Sequence, residues 1–347
     1  MRARPWLAAA LLLLVLAAVS MMSLSTGAAS LPGGLAARAV LSGLPGLGGI
    51  AGDLTDAQRT IIFELRLPRL VLALLVGAAL AMSGAVMQAF FQNPMAAPSI
   101  IGVSSGASLG ATVAIILGLQ VGVAGLSAVP VVAFIGALGV TGLVYVLSRR
   151  GGRTPVGVLL LTGIAIGSMM SALAALLLVT GQDPTHRDLD QVVYWMLGSV
   201  SGRGWSHVMM ILPWVIVGGG LTCAFGRDLN LLALGDEVAR YLGLDVERVK
   251  IVLLTLASLL AAAAVAVSGV IGFVGLIVPH LMRIVVGPNN RLLIPASALA
   301  GAVLLAAADL VARTMVAPTE VPVGIITSLL GAPFFLYLLH RRREYGL

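Results

Sequence analysis

The chain has 347 residues, 59% of them hydrophobic and 10% charged, with a mean hydropathy of +1.06. Soluble domains carry roughly 25% charged residues, so this composition excludes a soluble globular protein and points to an integral membrane protein. The formal net charge of +7 reads as loop charge beside a membrane and not as a nucleic-acid surface. The single cysteine, Cys223, excludes a disulfide framework and a cysteine-built metal site.

A helix needs about 20 apolar residues to cross a hydrocarbon core of about 30 Å. An aromatic share of 5% and 42 glycines suit closely packed helices better than a β-barrel. The expected fold is therefore all-α, a single transmembrane domain over 1–347 with about ten spans. In chain order these lie near 6–28, 68–91, 99–118, 122–147, 156–180, 206–225, 250–269, 274–287, 293–314 and 324–340. The first begins after Arg2 and Arg4 and precedes Ala28-Ala29, in the manner of a signal peptide. Its apolar run from Trp6 to Met22 exceeds the usual core of about 7–15 residues, so it is read as a first helix. Residues 31–67 are too rich in glycine, proline and polar groups to span, and hold a short interfacial helix around Asp56 to Leu65.

Basic residues orient the spans. Fourteen of the 21, among them Arg149, Arg150, Arg153, Arg227, Arg248, Lys250 and Arg341 to Arg343, fall on one side. Arg38, Arg59, Arg66, Arg69, Arg187, Arg203 and Arg313 fall on the other. The first side is expected to be cytoplasmic, which places both termini inside. Gly102, Gly106 and Gly110, and likewise Gly163 and Gly167, stand four apart, as small residues do where helix backbones approach closely in lipid. Pro130, Pro155, Pro213, Pro279, Pro295 and Pro322 are expected mostly near span ends, where a missing N–H costs least.

The segment Arg227 to Lys250 concentrates charge between the sixth and seventh spans, on the expected cytoplasmic side. A long amphipathic charged loop in so apolar a chain implies a soluble partner. The chain itself lacks GxxxxGK[ST], and its one lysine, Lys250, follows no glycine loop; ATP chemistry, if any, belongs to a partner. Gly102-Val103-Ser104-Ser105-Gly106 matches GxSxG, but it opens a glycine-spaced span with no histidine nearby, and helix packing is the better reading. His186, His207, His280 and His340 form no HxxxH or HExxH pattern, so no metal site is expected. His280 is read as capping the end of the eighth span beside Arg283, and His186 as a solvated loop residue. Asp309 lies well inside a span, with Arg313 at i+4 as its expected ion-pair partner. A proton-driven secondary carrier would show more carboxylates at mid-membrane. On the outer side, Arg66 and Arg69 are read as facing solvent at the mouth of the second span, either as interfacial anchors or as a basic patch for an acidic partner.

The run from Leu65 to Ala111 (LRLPRLVLALLVGAALAMSGAVMQAFFQNPMAAPSIIGVSSGASLGA), the block Leu231 to Lys250, the block Ser268 to Arg313 and the ending Glu320 to Leu339 together resemble the FecCD-type permeases. These are membrane subunits of importers for iron–siderophore complexes, haem and vitamin B12. The likeness covers essentially the whole chain, and MLGSV after Tyr194-Trp195 is nearest to the vitamin B12 branch.

The resemblance implies an ABC importer in the bacterial cytoplasmic (inner) membrane, with ten helices per subunit. It further implies a second permease (a copy or a paralogue), two cytosolic ATPases using ATP-Mg, and an extracytoplasmic substrate-binding protein. No cofactor is bound by the permease itself, and no nucleic acid is involved. By motif match, the ATPase-coupling residues are Leu234, Gly235, Asp236, Glu237, Arg240, Leu242 and Gly243. Arg66, Arg69 and Arg313 match residues that dock the binding protein. The inner gate matches Asn93, Pro94 and Met95, with Val156 and Gly157 near the second gate. There this chain reads RTPVG in place of a Ser/Thr-rich segment. The siderophore leads as cargo because it is the family's commonest. An ATP-independent carrier is the remoter alternative.

Overall fold

A computed structural model describes residues 5–27, 33–42, 54–119, 127–149, 151, 154–181 and 187–344. Among them are helices and turns and no strand. Arg2, Arg4, Arg150, Arg153, His186 and Ala28-Ala29, used in the sequence reading, lie outside the described residues.

The helices are α1 (Pro5–Ser25), α2 (Gly33–Ser42), α3 (Asp56–Thr60), α4 (Leu67–Phe90), α5 (Val103–Ile116), α6 (Ala128–Ser148) and α7 (Val156–Thr180). They continue with α8 (Arg187–Met196), α9 (Trp205–Pro213), α10 (Gly219–Ala224), α11 (Gly226–Leu232), α12 (Asp236–Tyr241), α13 (Val246–Ser268), α14 (Val274–Val286), α15 (Asn290–Thr314) and α16 (Val323–Glu344). Seven helical stretches are long and apolar enough to cross a membrane. The shorter apolar helices α5, α14 and the Val323–Tyr337 part of α16 stand where the third, eighth and tenth spans are expected.

Three local expectations are corrected. The helix around Asp56 is no separate interfacial piece. A capping box between Thr55 and Gln58 starts it, and it runs through a wide turn at Ile61–Arg66 directly into α4. Pro213 sits within a span, and a wide turn at Trp214–Gly218 follows it, joining α9 to α10; Pro279 and Pro295 also lie inside helices. Helices α2 and α8 were not expected. The Gly33-Gly34 start argues against a helix locally, and α8 is too short and too acidic to read as a span. Yet α8 buries Val192 and Trp195.

Helices α4 and α13 form the centre and are buried on nearly every side, as a helix apolar all round should be. Helix α4 packs on α13, α14 and α15, and α5 packs between α6 and α7. Close approach makes these contacts possible. A Cβ at Gly84 would collide with the Gly275 carbonyl oxygen, and one at Gly106 with that of Gly136, so the glycine row of α5 is a packing seam.

The length of α4, about 1.5 Å per residue, separates two ends of the molecule. At one end, the loop after Phe90 meets α11 and the entrance to α7 meets the start of α13. At the other, the wide turn before α4 meets the end of α1, and the first turn of α4 meets the segment between α15 and α16.

Candidate functional site

At the first end, the short helix α12 is bracketed by two glycines with positive φ, Gly235 at 102° and Gly243 at 83°. The second closes a Schellman motif. Gly243 N–H donates to Arg240 O at 2.9 Å and Leu244 N–H to Ala239 O at 3.0 Å. This fixes α12 as one turn-limited unit with two distinct faces.

The inward face is tied to α13. Asp236 accepts from the Lys250 ammonium, whose stem is buried, and Arg240 lies 3.6 Å from Glu247. Ala239 is buried beneath. The outward face carries Leu234, Glu237, Val238, Tyr241 and Leu242, all exposed, with Tyr241 at 92%. Val238 and Tyr241 stand three apart on α12 and share a face, and Leu234 and Leu242, also exposed, lie in the turns that flank it. The seven predicted coupling residues are therefore brought together on one helix and its flanks, but in two roles. Asp236 and Arg240 hold the helix, whereas Leu234, Glu237 and Leu242 are presented. Val238 and Tyr241 complete the exposed apolar set; their spacing in an otherwise charged loop was the available signal.

Asn93 organises the turn after α4. Its Oδ1 accepts from Met95 N–H at 2.9 Å, and its carbonyl accepts from Ala96 N–H at 3.0 Å, with Pro94 between. Gln92 has a left-handed φ of 49°, uncommon for its type, and its Nε2 donates to Leu232 O at the end of α11, 2.9 Å away. Val156 and Gly157 form the first turn of α7, with Gly157 exposed. Just before them, Thr154 N–H donates to Glu247 at 3.3 Å. The two predicted gate segments thus lie at the same end as α12, each touching the coupling loop or its continuation into α13.

At the other end, Arg66, Arg69, Arg203, Arg313, Glu64 and Glu320 line a pocket of about 430 Å³. Arg66 and Arg69 do not face open solvent as expected. Arg66 is 7% exposed and donates to the Leu24 and Ser25 carbonyls; Arg313, 8% exposed, donates to Ser23 O and Oγ. Both neutralise the orphan carbonyls at the C-terminus of α1, where positive charge is favoured. Consequently Asp309 takes its short contacts not from Arg313, whose Nε is 3.9 Å away, but from Arg69 on α4. Arg69 Nη1 also binds both oxygens of Glu320 at 2.9 and 3.0 Å, and Ser201 Oγ donates to Glu320. Burial alone would raise the Glu320 carboxyl, but the hydrogen bonds from Arg69 and Ser201 hold it below the usual carboxylate range. Burial pushes the Arg203 guanidinium down. Its Nη1 reaches His207 Nε2 at 3.2 Å, while its buried Nε has no partner. Among the described residues, no group of three or more His, Cys, Asp or Glu could hold a metal ion.

A family model described as the FecCD transport family matches residues 12–341. The chain is 48% identical over 292 residues to the cobalamin import system permease protein BtuC of Halobacterium salinarum, covering 84% of this chain and 76% of that protein. It is 46% identical over 294 residues to the hemin transport system permease protein HmuU of Yersinia pestis, covering 83% and 86%. A solved structure described as an inward-facing conformation of a metal-chelate type ABC transporter superposes with a TM-score of 0.83 at 32% identity, covering 97% of this chain and 100% of the other.

Proposed function

The chain belongs to the FecCD transport family, and on that premise we propose that it is the permease subunit of an ATP-driven ABC importer for a bulky metal chelate. An external binding protein delivers an iron–siderophore complex, vitamin B12 or haem to the arginine-lined end. Two cytosolic ATPases, using ATP-Mg, dock on α12 at the other end. Two permeases, copies or paralogues, enclose the path in the cytoplasmic membrane, and substrate leaves past Asn93–Met95 and the start of α7.

The observation that carries this reading is the set of exposed apolar side chains Val238 and Tyr241 on α12 and Leu234 and Leu242 on its flanks, in a segment that is otherwise charged. An apolar patch set among charges marks a protein-binding surface. The basic residues of the same segment agree with a cytoplasmic location. At the opposite end, the arginine-rich pocket gives the mouth a positive character that suits an acidic surface of a binding protein, with Arg69 partly exposed beside Glu320.

Replacing Glu237 and Arg240 together by alanine tests the reading. ATP hydrolysis in the assembled transporter should lose its connection to uptake. Substrate-stimulated uptake equal to wild type in that double variant would refute it.

A further inference from the structure

We infer that Gln92 and Glu247 are positioning residues, two tethers through which the ATPase-facing helices move both gate segments together. This rests on the reading of α12 as the docking element.

The first tether joins the loop after α4 to α11. Gln92 stands between Phe91, which ends α4, and Asn93, which shapes the turn. Its side-chain amide donates to Leu232 O at the last turn of α11. That carbonyl lies at the helix C-terminus and also accepts from Gly235 N–H at 3.0 Å, so the Gln92 amide takes up its second lone pair. The backbone of Gln92 is left-handed, a conformation that persists in a non-glycine residue when surrounding contacts over-determine it. Here those contacts are the Schellman bonds that end α4, Gln92 N–H to Ala89 O at 3.2 Å and Asn93 N–H to Gln88 O at 3.1 Å, and the tether adds to them.

The second tether runs through Glu247 in the first turn of α13. One of its oxygens lies 3.6 Å from Arg240 on α12 and the other accepts from Thr154 N–H at 3.3 Å. Thr154 is buried and precedes α7 by two residues. One carboxylate therefore bridges the docking helix and the entrance to the helix that opens with Val156 and Gly157. Lys250, one turn further along α13, holds Asp236 at the start of α12.

The two bridges share a body. Helices α11 and α12 are separated by only three residues, Ala233 to Gly235, with backbone bonds of 3.0 Å from Leu234 to Leu231 and from Gly235 to Leu232. A displacement of α12 is thus passed to the α4 loop through Leu232 and to the α7 entrance through Glu247, without either gate touching the ATPase. Sequence reading singled out neither residue, although both lie within matched blocks, Leu65 to Ala111 and Leu231 to Lys250.

The test is amide hydrogen exchange on the intact transporter, purified with its own ATPases, with and without ATP. In wild type, exchange changes with nucleotide in three places: 234–244, 91–97 and 154–158. Gln92→Leu, which keeps bulk and loses the amide, should abolish the change at 91–97 alone. Glu247→Ala should abolish it at 154–158 alone, and Glu247→Gln, which retains an acceptor for Thr154, should restore part of it. The response at 234–244 should persist in all three variants. Nucleotide-dependent changes at 91–97 and 154–158 that match wild type in both Gln92→Leu and Glu247→Ala would overturn the inference. A wild-type transporter with no nucleotide response at 234–244 would instead overturn the docking reading on which it stands.

Discussion

Arg69 and Asp309 form a two-point ion pair between α4 and α15. Arg69 Nη2 lies 2.8 Å from Oδ1, and its Nε is 3.1 Å from each carboxylate oxygen. Asp309 is 2% exposed, and this partner is its nearest cation, with Arg313 at longer range. Glu320, more exposed, occupies the remaining donor of the same guanidinium. Arg69 thus has one buried partner and one partly exposed one.

Asp309→Ala removes the buried counter-charge of Arg69, which keeps only the partly exposed Glu320, and also removes the carboxylate near Arg313. Breaking one partner of a buried pair costs about 3–5 kcal/mol. Thermal unfolding in detergent should show a large drop in midpoint for Asp309→Ala and a smaller one for Asp309→Asn, which retains an acceptor. An unchanged midpoint in Asp309→Ala would show that the pair is not structural.

Glu320→Gln should release Arg69 Nη1 for an external carboxylate. A partly exposed pair is worth about 1 kcal/mol at most. The binding protein should therefore dock about fivefold more tightly to the variant, measured by surface plasmon resonance on the reconstituted transporter, and Arg69→Ala should cancel the gain. Weaker docking in Glu320→Gln would argue that Glu320 itself belongs to the docking surface.

The same carboxylate sets a pH dependence. Its folded-state value is depressed below 4.5, so its stabilising contribution is complete above the unfolded-state value and is lost as pH falls through the folded one. Wild type and Glu320→Gln should differ in unfolding midpoint at pH 7 and converge only below the usual carboxylate range. Convergence near pH 6 would contradict the hydrogen-bonded assignment.

Gly84→Ala should disrupt the α4–α14 contact, since the added methyl meets the Gly275 backbone; overpacking of this kind costs about 1–3 kcal/mol or more. Gly139→Ala, where a Cβ meets nothing within 4 Å, should be neutral. Yield and melting temperature of the two variants check the contrast. Equal stability would remove the close-packing account of these glycines.

The spans were legible because each is a long apolar run, and α12 because a charged segment interrupts them. The roles of single charges were not. Asp309 and Arg313 are one helical turn apart in sequence, so their pairing looked local. Arg69, however, lies 240 positions away from Asp309, and the α1 carbonyls that draw off Arg66 and Arg313 leave no mark in the sequence. Glu320, Gln92 and Glu247 escaped for the same reason: each acquires its role from a neighbour distant in sequence. Tyr241 was readable from its spacing with Val238, and was masked by the charges around it.

The most direct test of the central claim is uptake into proteoliposomes holding this permease with its ATPases, fed by the external binding protein loaded with radiolabelled cobalamin, haem or ferric siderophore. The account predicts accumulation of one of these chelates that requires ATP inside the ATPase-accessible compartment and is abolished when Leu234, Val238 and Tyr241 are replaced by serine. Accumulation driven by a proton gradient with the ATPases omitted would contradict it.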